Sequence, residues 1–329
     1  MQAVTANKND AGQRLDKFLV KYLNQAPKSF LYKMLRKKNI TLNGKKAAGS
    51  EILAAGDEIK FFLSDETIEK FQGKPAEAYP VTDLDVVYED SDVIFLNKPV
   101  GMLSQKADDS SVSMVEYLIG YLLQNGSLTK EELSRFKPSV CNRLDRNTSG
   151  LIVAGKSLAG LQILSELLKD RTLEKYYYAL VKGVVKDGAH IRGTLVKNAA
   201  ANRVTVRLDN GLKGDAGDRI ETYYEPLASS EYATLLRVKL ITGKTHQIRA
   251  HLASIGHPII GDHKYGDARI NEWYKKKYGL KSQLLHAHTL VFPEKNMEDR
   301  FQYLTGRQFT AKLPELFSEI LKRECIKEK

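Results

Sequence analysis

Between Gly150 and Gly155 stand Leu151, Ile152, Val153 and Ala154, four apolar residues preceded by the polar tract "NRLDRNTS". So short an apolar run, bounded by glycines, fits a strand buried within a sheet, so the chain must build that sheet and cover it. The same letters, Gly150 to Ser157, also spell the phosphate-loop pattern G-x-x-x-x-G-K-S. A phosphate loop needs its buried strand before the first glycine and open amides between the glycines. Here the order is inverted, the amides go to strand pairing, and a nucleoside-triphosphate site is disfavoured.

What remains of the tract is an acid, Asp145, between Arg143 and Arg146 just ahead of the buried run. Guanidinium groups nearby favour a carboxylate over a carboxylic acid, which suits a nucleophile or an electrostatic partner better than a general acid. A structural ion pair would look the same in sequence.

Downstream and upstream of it, alternating segments predict further strands: "LDVVYED", "DVIFLNKP", "KYYYALVKG", "RVTVRL", "IETYYEPL", "ATLLRVKL" and "TLVFPE". Helices are expected at about 112–124, 157–170 and 245–255. The fold class is therefore α+β, with a mixed, mainly antiparallel sheet over residues 83–329. Within "KYYYALVKG", alternation sends Tyr177 to the face opposite Tyr176 and Tyr178.

The first 63 residues read differently. "QRLDKFLVKYLNQ" places Leu15, Phe18, Leu19 and Leu23 on one helical face with Lys17 and Lys21 outward. "SFLYKMLRKKN" predicts a second helix with Ser29 as N-cap, Phe30, Leu31, Met34 and Leu35 inward, and Lys33, Arg36 and Lys37 on the other side. Asn43-Gly44 is a hairpin signal that carries Lys45 and Lys46 beside the turn. Charge concentrates here: the chain has 51 Lys and Arg against 40 Asp and Glu, and +7 of the net +11 lies in residues 1–63. Such a field, with a pI near 9.3, favours a polyanionic partner. The module resembles the S4 RNA-binding domain of ribosomal protein S4 and several RNA-modifying enzymes, which implies contact with structured RNA through Lys33, Arg36, Lys37, Lys45 and Lys46. Residues 64–82, without periodicity and with two prolines, read as a linker.

Other classes are excluded early. Two cysteines, Cys141 and Cys325, have no partner at metal or redox spacing, no signal-peptide core opens the chain and no apolar run is long enough to span a membrane, so a cytoplasmic protein is expected. The six histidines from His246 onward form no H-E-x-x-H pair and have no cysteine beside them, so no metal site is expected.

"NRLDRNTSGLIVAGKS" resembles the central motif of the RluA-type pseudouridine synthases, and the likeness continues in order on both sides. "YEDSDVIFLNKPVGM" is similar to the family's opening strand pair, "EKYYYALVKG" to its Lys-x-Tyr-x-Ala segment, "TGKTHQIRAHLASIGHPIIGDHKYG" to its longest signature and "LLHAHTLVFPE" to its closing strand. The resemblance, most similar to the ribosomal large-subunit branch that joins an S4 domain to the catalytic block, runs from about residue 13 to 293. It implies isomerisation of uridine to pseudouridine in RNA, expected to be 23S rRNA, with Asp145 as the essential acid and with no cofactor or metal. It also implies that Tyr177 packs on an extruded base and assists proton removal from C5, and that Arg249 stands against the aspartate. Arg143, Arg146 and His246 are expected to contact RNA, Thr242 or Thr245 to cap the helix carrying His246 and Arg249, and the protein to act as a monomer. Asn142 departs from the family, in which many members have His. The alternative is an S4-bearing ribosome-assembly factor with a degenerate catalytic block, against which Asp145, Tyr177 and Arg249 all stand.

Overall fold

The computed structural model describes residues 1–72, 78–198, 203–208 and 217–326. Two sheets organise them. The first is four-stranded and antiparallel, in the order Gln2–Thr5, Glu58–Phe61, Ile40–Leu42, Lys45–Lys46. Helices Leu15–Tyr22 and Lys28–Arg36 pack over it, burying Leu15, Phe18, Leu19, Leu31, Met34 and Leu35 in one apolar cluster. Asn43 and Gly44 both have positive φ, 50° and 71°, the conformation demanded by a tight two-residue hairpin turn. Two details differ from the sequence reading. The second helix starts behind Pro27, not Ser29: Pro27 holds the N-cap place with extended backbone, φ −59° and ψ 141°, and no side-chain cap, so Ser29 falls inside the first turn. The segment read as a linker opens with a helix, Asp65–Gln72, whose Ile68 is fully buried in the first core; one buried side chain is too weak a periodic signal to announce it. Residues 73–77 of that segment lie outside the described residues.

The second sheet has eleven strands, and its main path runs Arg203–Leu208, Ala189–Asn198, Asp218–Ser229, Ala233–Leu240, Glu174–Lys182, Leu285–Val291, Ser149–Gly155, Val93–Lys98, Val86–Glu89. Every pairing is antiparallel except that of Leu285–Val291 with Ser149–Gly155. That parallel pair joins the two halves of the sheet at its middle.

The run that looked like a phosphate loop is the Ser149–Gly155 strand, buried at every position. Its glycines serve close approach. Gly150 has φ 109°, and a Cβ there would lie 2.2 Å from the Ala287 carbonyl oxygen; one at Gly155 would lie 2.4 Å from the Leu161 amide. The first lets two strands meet, and the second seats helix Leu158–Lys169 on the sheet. Ile94, Leu96, Ile152 and Ala154 line one face of the sheet with helix Met114–Gln124, while Val93, Phe95, Leu151 and Val153 line the other with helix Leu158–Lys169. Burial on both faces explains the continuous apolar run.

The two sheets meet through Arg135, which donates to the Thr5 carbonyl at 3.2 Å and lies 3.7 Å from the buried Asp10 carboxylate.

Candidate active site

The strand Ser149–Gly155 begins at the middle of the large sheet, so the loop before it is held at a cleft. Ser104 fixes that loop from below: its hydroxyl donates to the Leu144 carbonyl at 2.8 Å and accepts the Leu144 amide at 3.0 Å. Lys98, fully buried, donates to the carbonyls of Pro99, Met102 and Arg146. Burial pulls its pKa down to about 8 against the attraction of Asp145. Asn142 donates to the Leu151 carbonyl at 3.1 Å and accepts the Val153 amide at 2.9 Å. Its two amide atoms are thus committed to strand backbone, which is a positioning task that needs no titrating group.

Asp145 opens into a cleft of about 510 Å³, within the roughly 300–1,000 Å³ typical of small-ligand sites. Its side chain is 26% exposed, enough for one face to meet a substrate. Oδ2 accepts Arg249 Nη1 at 2.7 Å and lies 3.9 Å from His246 Nε2; Oδ1 accepts no hydrogen bond from the described residues. The guanidinium beside the acid therefore comes from 104 positions downstream. Arg143 and Arg146, its sequence neighbours, make no ion pair with it: both are exposed, and Arg146 donates to the Gly101 carbonyl. Consecutive side chains in a turn diverge, whereas tertiary packing can aim a distant one.

Arg249 is itself held. The buried Asp262 takes its Nε at 2.7 Å and Nη2 at 2.9 Å, and also accepts the Lys264 and Tyr265 amides. Burial alone would raise the Asp262 pKa, but Arg249 and the two amides outweigh it and hold the carboxyl below the ordinary range. Arg249, in turn, is pushed above the usual arginine value: burial opposes, and Asp262 and Asp145 together prevail. The arrangement is a fixed chain of carboxylate, guanidinium and carboxylate whose outer end faces the cleft.

His246 and Arg249 share one face at the start of helix Gln247–Ser254. The expected threonine cap is absent. His246 itself takes the N-cap position in the left-handed region, φ 56°, while Thr242 donates to Gln247 Oε1 and receives the Glu221 amide. Gln247 completes that loop by donating to the Glu221 carbonyl and Thr222 hydroxyl. A loop tied this densely to the Asp218–Ser229 strand tolerates a left-handed residue. Tyr265 accepts the Val204 amide at 2.9 Å and lies 3.0 Å from His246 Nδ1, which fixes the ring with Nε2 turned toward Asp145. Burial lowers the His246 pKa; Asp145 opposes, and Arg249 and Lys264 reinforce. A neutral imidazole suits support of Asp145 better than pairing with a phosphate.

Tyr177 sits on the Glu174–Lys182 strand in register with Ala287 on the next strand and, one strand further, with Gly150, and it lines the cleft. Burial, then the charge of Asp145, pushes its phenol well above the tyrosine range. It stays protonated, which favours ring packing and hydrogen-bond donation over the proton removal expected from sequence. Lys33, Arg36, Lys37, Lys45 and Lys46 are exposed on the first sheet's module, and none forms an ion pair with the described residues. Among the described residues no three His, Cys, Asp or Glu group as a metal site would, and no helix is long and apolar enough to cross a membrane.

Sequence reasoning missed Asp262, Tyr265, Lys98, Ser104 and Gln247. Asp262 and Tyr265 sit inside the signature "GHPIIGDHKYG", but nothing in spacing tells an acid that holds an arginine from one that solvates a loop.

Comparison with known proteins shows the family to which this fold belongs. Residues 92–254 match the family model for RNA pseudouridylate synthase, and residues 13–59 match the S4 domain. The chain is 33% identical to ribosomal large subunit pseudouridine synthase C of Vibrio vulnificus, covering 89% of this chain and 88% of that protein. It is 32% identical to the protein of the same name from Escherichia coli, over 88% and 87%. The solved structure of human RNA pseudouridylate synthase domain containing 4 shares the fold, with TM-score 0.59 and 24% identity over 74% of this chain and 93% of that one. A mixed, mainly antiparallel sheet with its acid at a central cleft, behind an S4 domain, thus belongs to a member of the RNA pseudouridylate synthase family.

Proposed function

We propose that this RNA pseudouridine synthase acts on 23S rRNA of the large subunit, in the cytoplasm and as a monomer, with Asp145 as its reacting group and Tyr177 and Arg249 beside it. The observation that carries the reading is the division of labour at Asp145: Oδ2 is fixed by Arg249, while Oδ1 accepts no hydrogen bond from the described residues and stands beside an open cleft. Isomerisation must break N1–C1′, turn the uracil and join C5 to C1′. A carboxylate oxygen free of hydrogen bonds from the described residues suits either attack on C1′ or removal of the 2′ proton. The ring of Tyr177 offers a surface for the turned base, and Arg249 keeps the carboxylate oriented throughout. Uridine reaches such a site only by leaving its stack, at a cost of a few kcal/mol that is smallest in loops and bulges. The relatives named for the large ribosomal subunit support a ribosomal RNA target, and the exposed cations of the S4 module suit its backbone.

The test uses a 23S rRNA transcript carrying 5-tritiated uridine. The protein releases tritium, Asp145→Asn abolishes release by more than about a thousandfold, and binding of the same RNA persists. Release by the Asp145→Asn protein at the parent rate would remove Asp145 from the chemistry. Absence of release by the parent protein, with RNA binding intact, would favour an assembly factor.

A further inference from the structure

Lys175 is the least explained charge near the cleft. It lies two residues before Tyr177 on the same strand, so alternation turns both to one side, and both line the cleft that holds Asp145. Only 9% of Lys175 is exposed, yet it has no ion pair or hydrogen bond with the described residues. Its charged neighbour makes matters worse. Burial lowers the Lys175 pKa and the cation of Arg171 lowers it further. Arg171 follows helix Leu158–Lys169, stands in the left-handed region at φ 61°, and has no acidic partner among the described residues either. The Lys175 ammonium opens only to the cleft, and recessing a charge there beside a like charge is costly. The cleft lining does nothing to relieve this: its carboxylate, Asp145, is already held by Arg249. Lys106 and Lys244, also on the lining, reach Glu116 and Asp218.

We propose that Lys175 and Arg171 form a phosphate subsite, which takes a backbone phosphate flanking the uridine that enters over Asp145. Two cations without an acidic partner among the described residues, one recessed and one exposed, suit a group with several acceptor oxygens and a full negative charge. The recessed lysine would read distance and the arginine would close over the outside. This inference rests on the RNA-modifying role proposed above and adds to it the point at which the strand is gripped beside the reacting nucleotide.

The experiment measures binding of a 23S rRNA transcript to the full chain across a salt series, together with tritium release. One phosphate contact to a single strand contributes about 0.7 to the slope of log affinity against log salt, or about fivefold in affinity near 0.1 M salt. Lys175→Met is expected to lower the slope by about that amount, and Lys175→Arg to restore it. Arg171→Gln, at an exposed position, is expected to act in the same direction and carries the test if Lys175→Met does not fold. A methylphosphonate placed at the gripped linkage should weaken the parent protein and leave Lys175→Met indifferent. Unchanged slopes in folded Lys175→Met and in Arg171→Gln, with the parent protein turning over, would overturn the subsite alone. No turnover by the parent protein would instead overturn the functional reading on which it rests.

Discussion

Asp262→Asn isolates the part of the site that sequence did not reveal. In the parent protein Asp262 Oδ1 takes Arg249 Nη2 and the amides of Lys264 and Tyr265, and Oδ2 takes Arg249 Nε at 2.7 Å. An asparagine keeps the three bonds to Oδ1 but puts an NH₂ where Oδ2 stood, so donor faces donor at that distance and the negative charge is gone. Removing one partner of a buried ion pair costs about 3–5 kcal/mol. Arg249 retains Asp145, which places the loss near the lower end, about 3 kcal/mol. For a domain of this size each kcal/mol lowers the melting temperature by about 2–4 °C, so a fall of about 6–12 °C is expected. Activity should suffer separately, because Arg249 then orients Asp145 without a fixed base of its own. A loss of about 10- to 100-fold in turnover corresponds to about 1.4–2.7 kcal/mol of transition-state stabilisation. Thermal unfolding and tritium release on the same preparation check both. A melting temperature within about 1 °C of the parent, or a large thermal loss with turnover unchanged within about twofold, would refute the view that Asp262 positions Asp145 through Arg249.

Three further outcomes are expected. His286 is fully buried, with Nδ1 on the Ser149 hydroxyl at 2.8 Å and Nε2 on the Ala311 carbonyl at 3.2 Å, and burial holds its pKa down at about 4. The unfolded chain therefore takes up this proton first: stability is unaffected above about pH 7 and falls by about 3 kcal/mol as pH drops from about 6.5 to 4. His286→Gln should remove that loss, and parallel unfolding curves for parent and variant over the window would contradict the assignment. Gly150→Ala would force a Cβ to within 2.2 Å of the Ala287 carbonyl at φ 109° and should cost about 2–5 kcal/mol; chemical denaturation with an unchanged midpoint would show that the two strands can part cheaply. Arg36→Glu, on the exposed face of the S4 module, should weaken RNA binding about tenfold at moderate salt while a short saturating substrate is turned over at the parent rate, and equal loss in both assays would contradict the separation of grip from chemistry.

Much of this protein was legible in its sequence because the signals were local. Leu151–Ala154 demanded a covered strand, Asn43-Gly44 a tight hairpin, and the alternation around Tyr177 a single face toward the cleft; each follows from the backbone geometry of a few consecutive residues. The helix Asp65–Gln72 escaped because Ile68 is its one fully buried residue, with Phe71 half-buried against Phe30, and the Ala189–Asn198 strand and the helix Ala268–Tyr278 went unread as well. The site divided along the same line. Asp145, Tyr177 and Arg249 were named from motifs, but the arginines beside Asp145 in sequence were the wrong partners for it. The resemblance pointed to Arg249 for that carboxylate, but only the folded chain shows that Asp262 stands behind the guanidinium and that Lys175 is recessed with no acid beside it among the described residues. Charge pairing depends on distance in space, and a fold that sets Asp262 behind Arg249 and Lys175 beside the cleft leaves no mark of that proximity in the order of the letters.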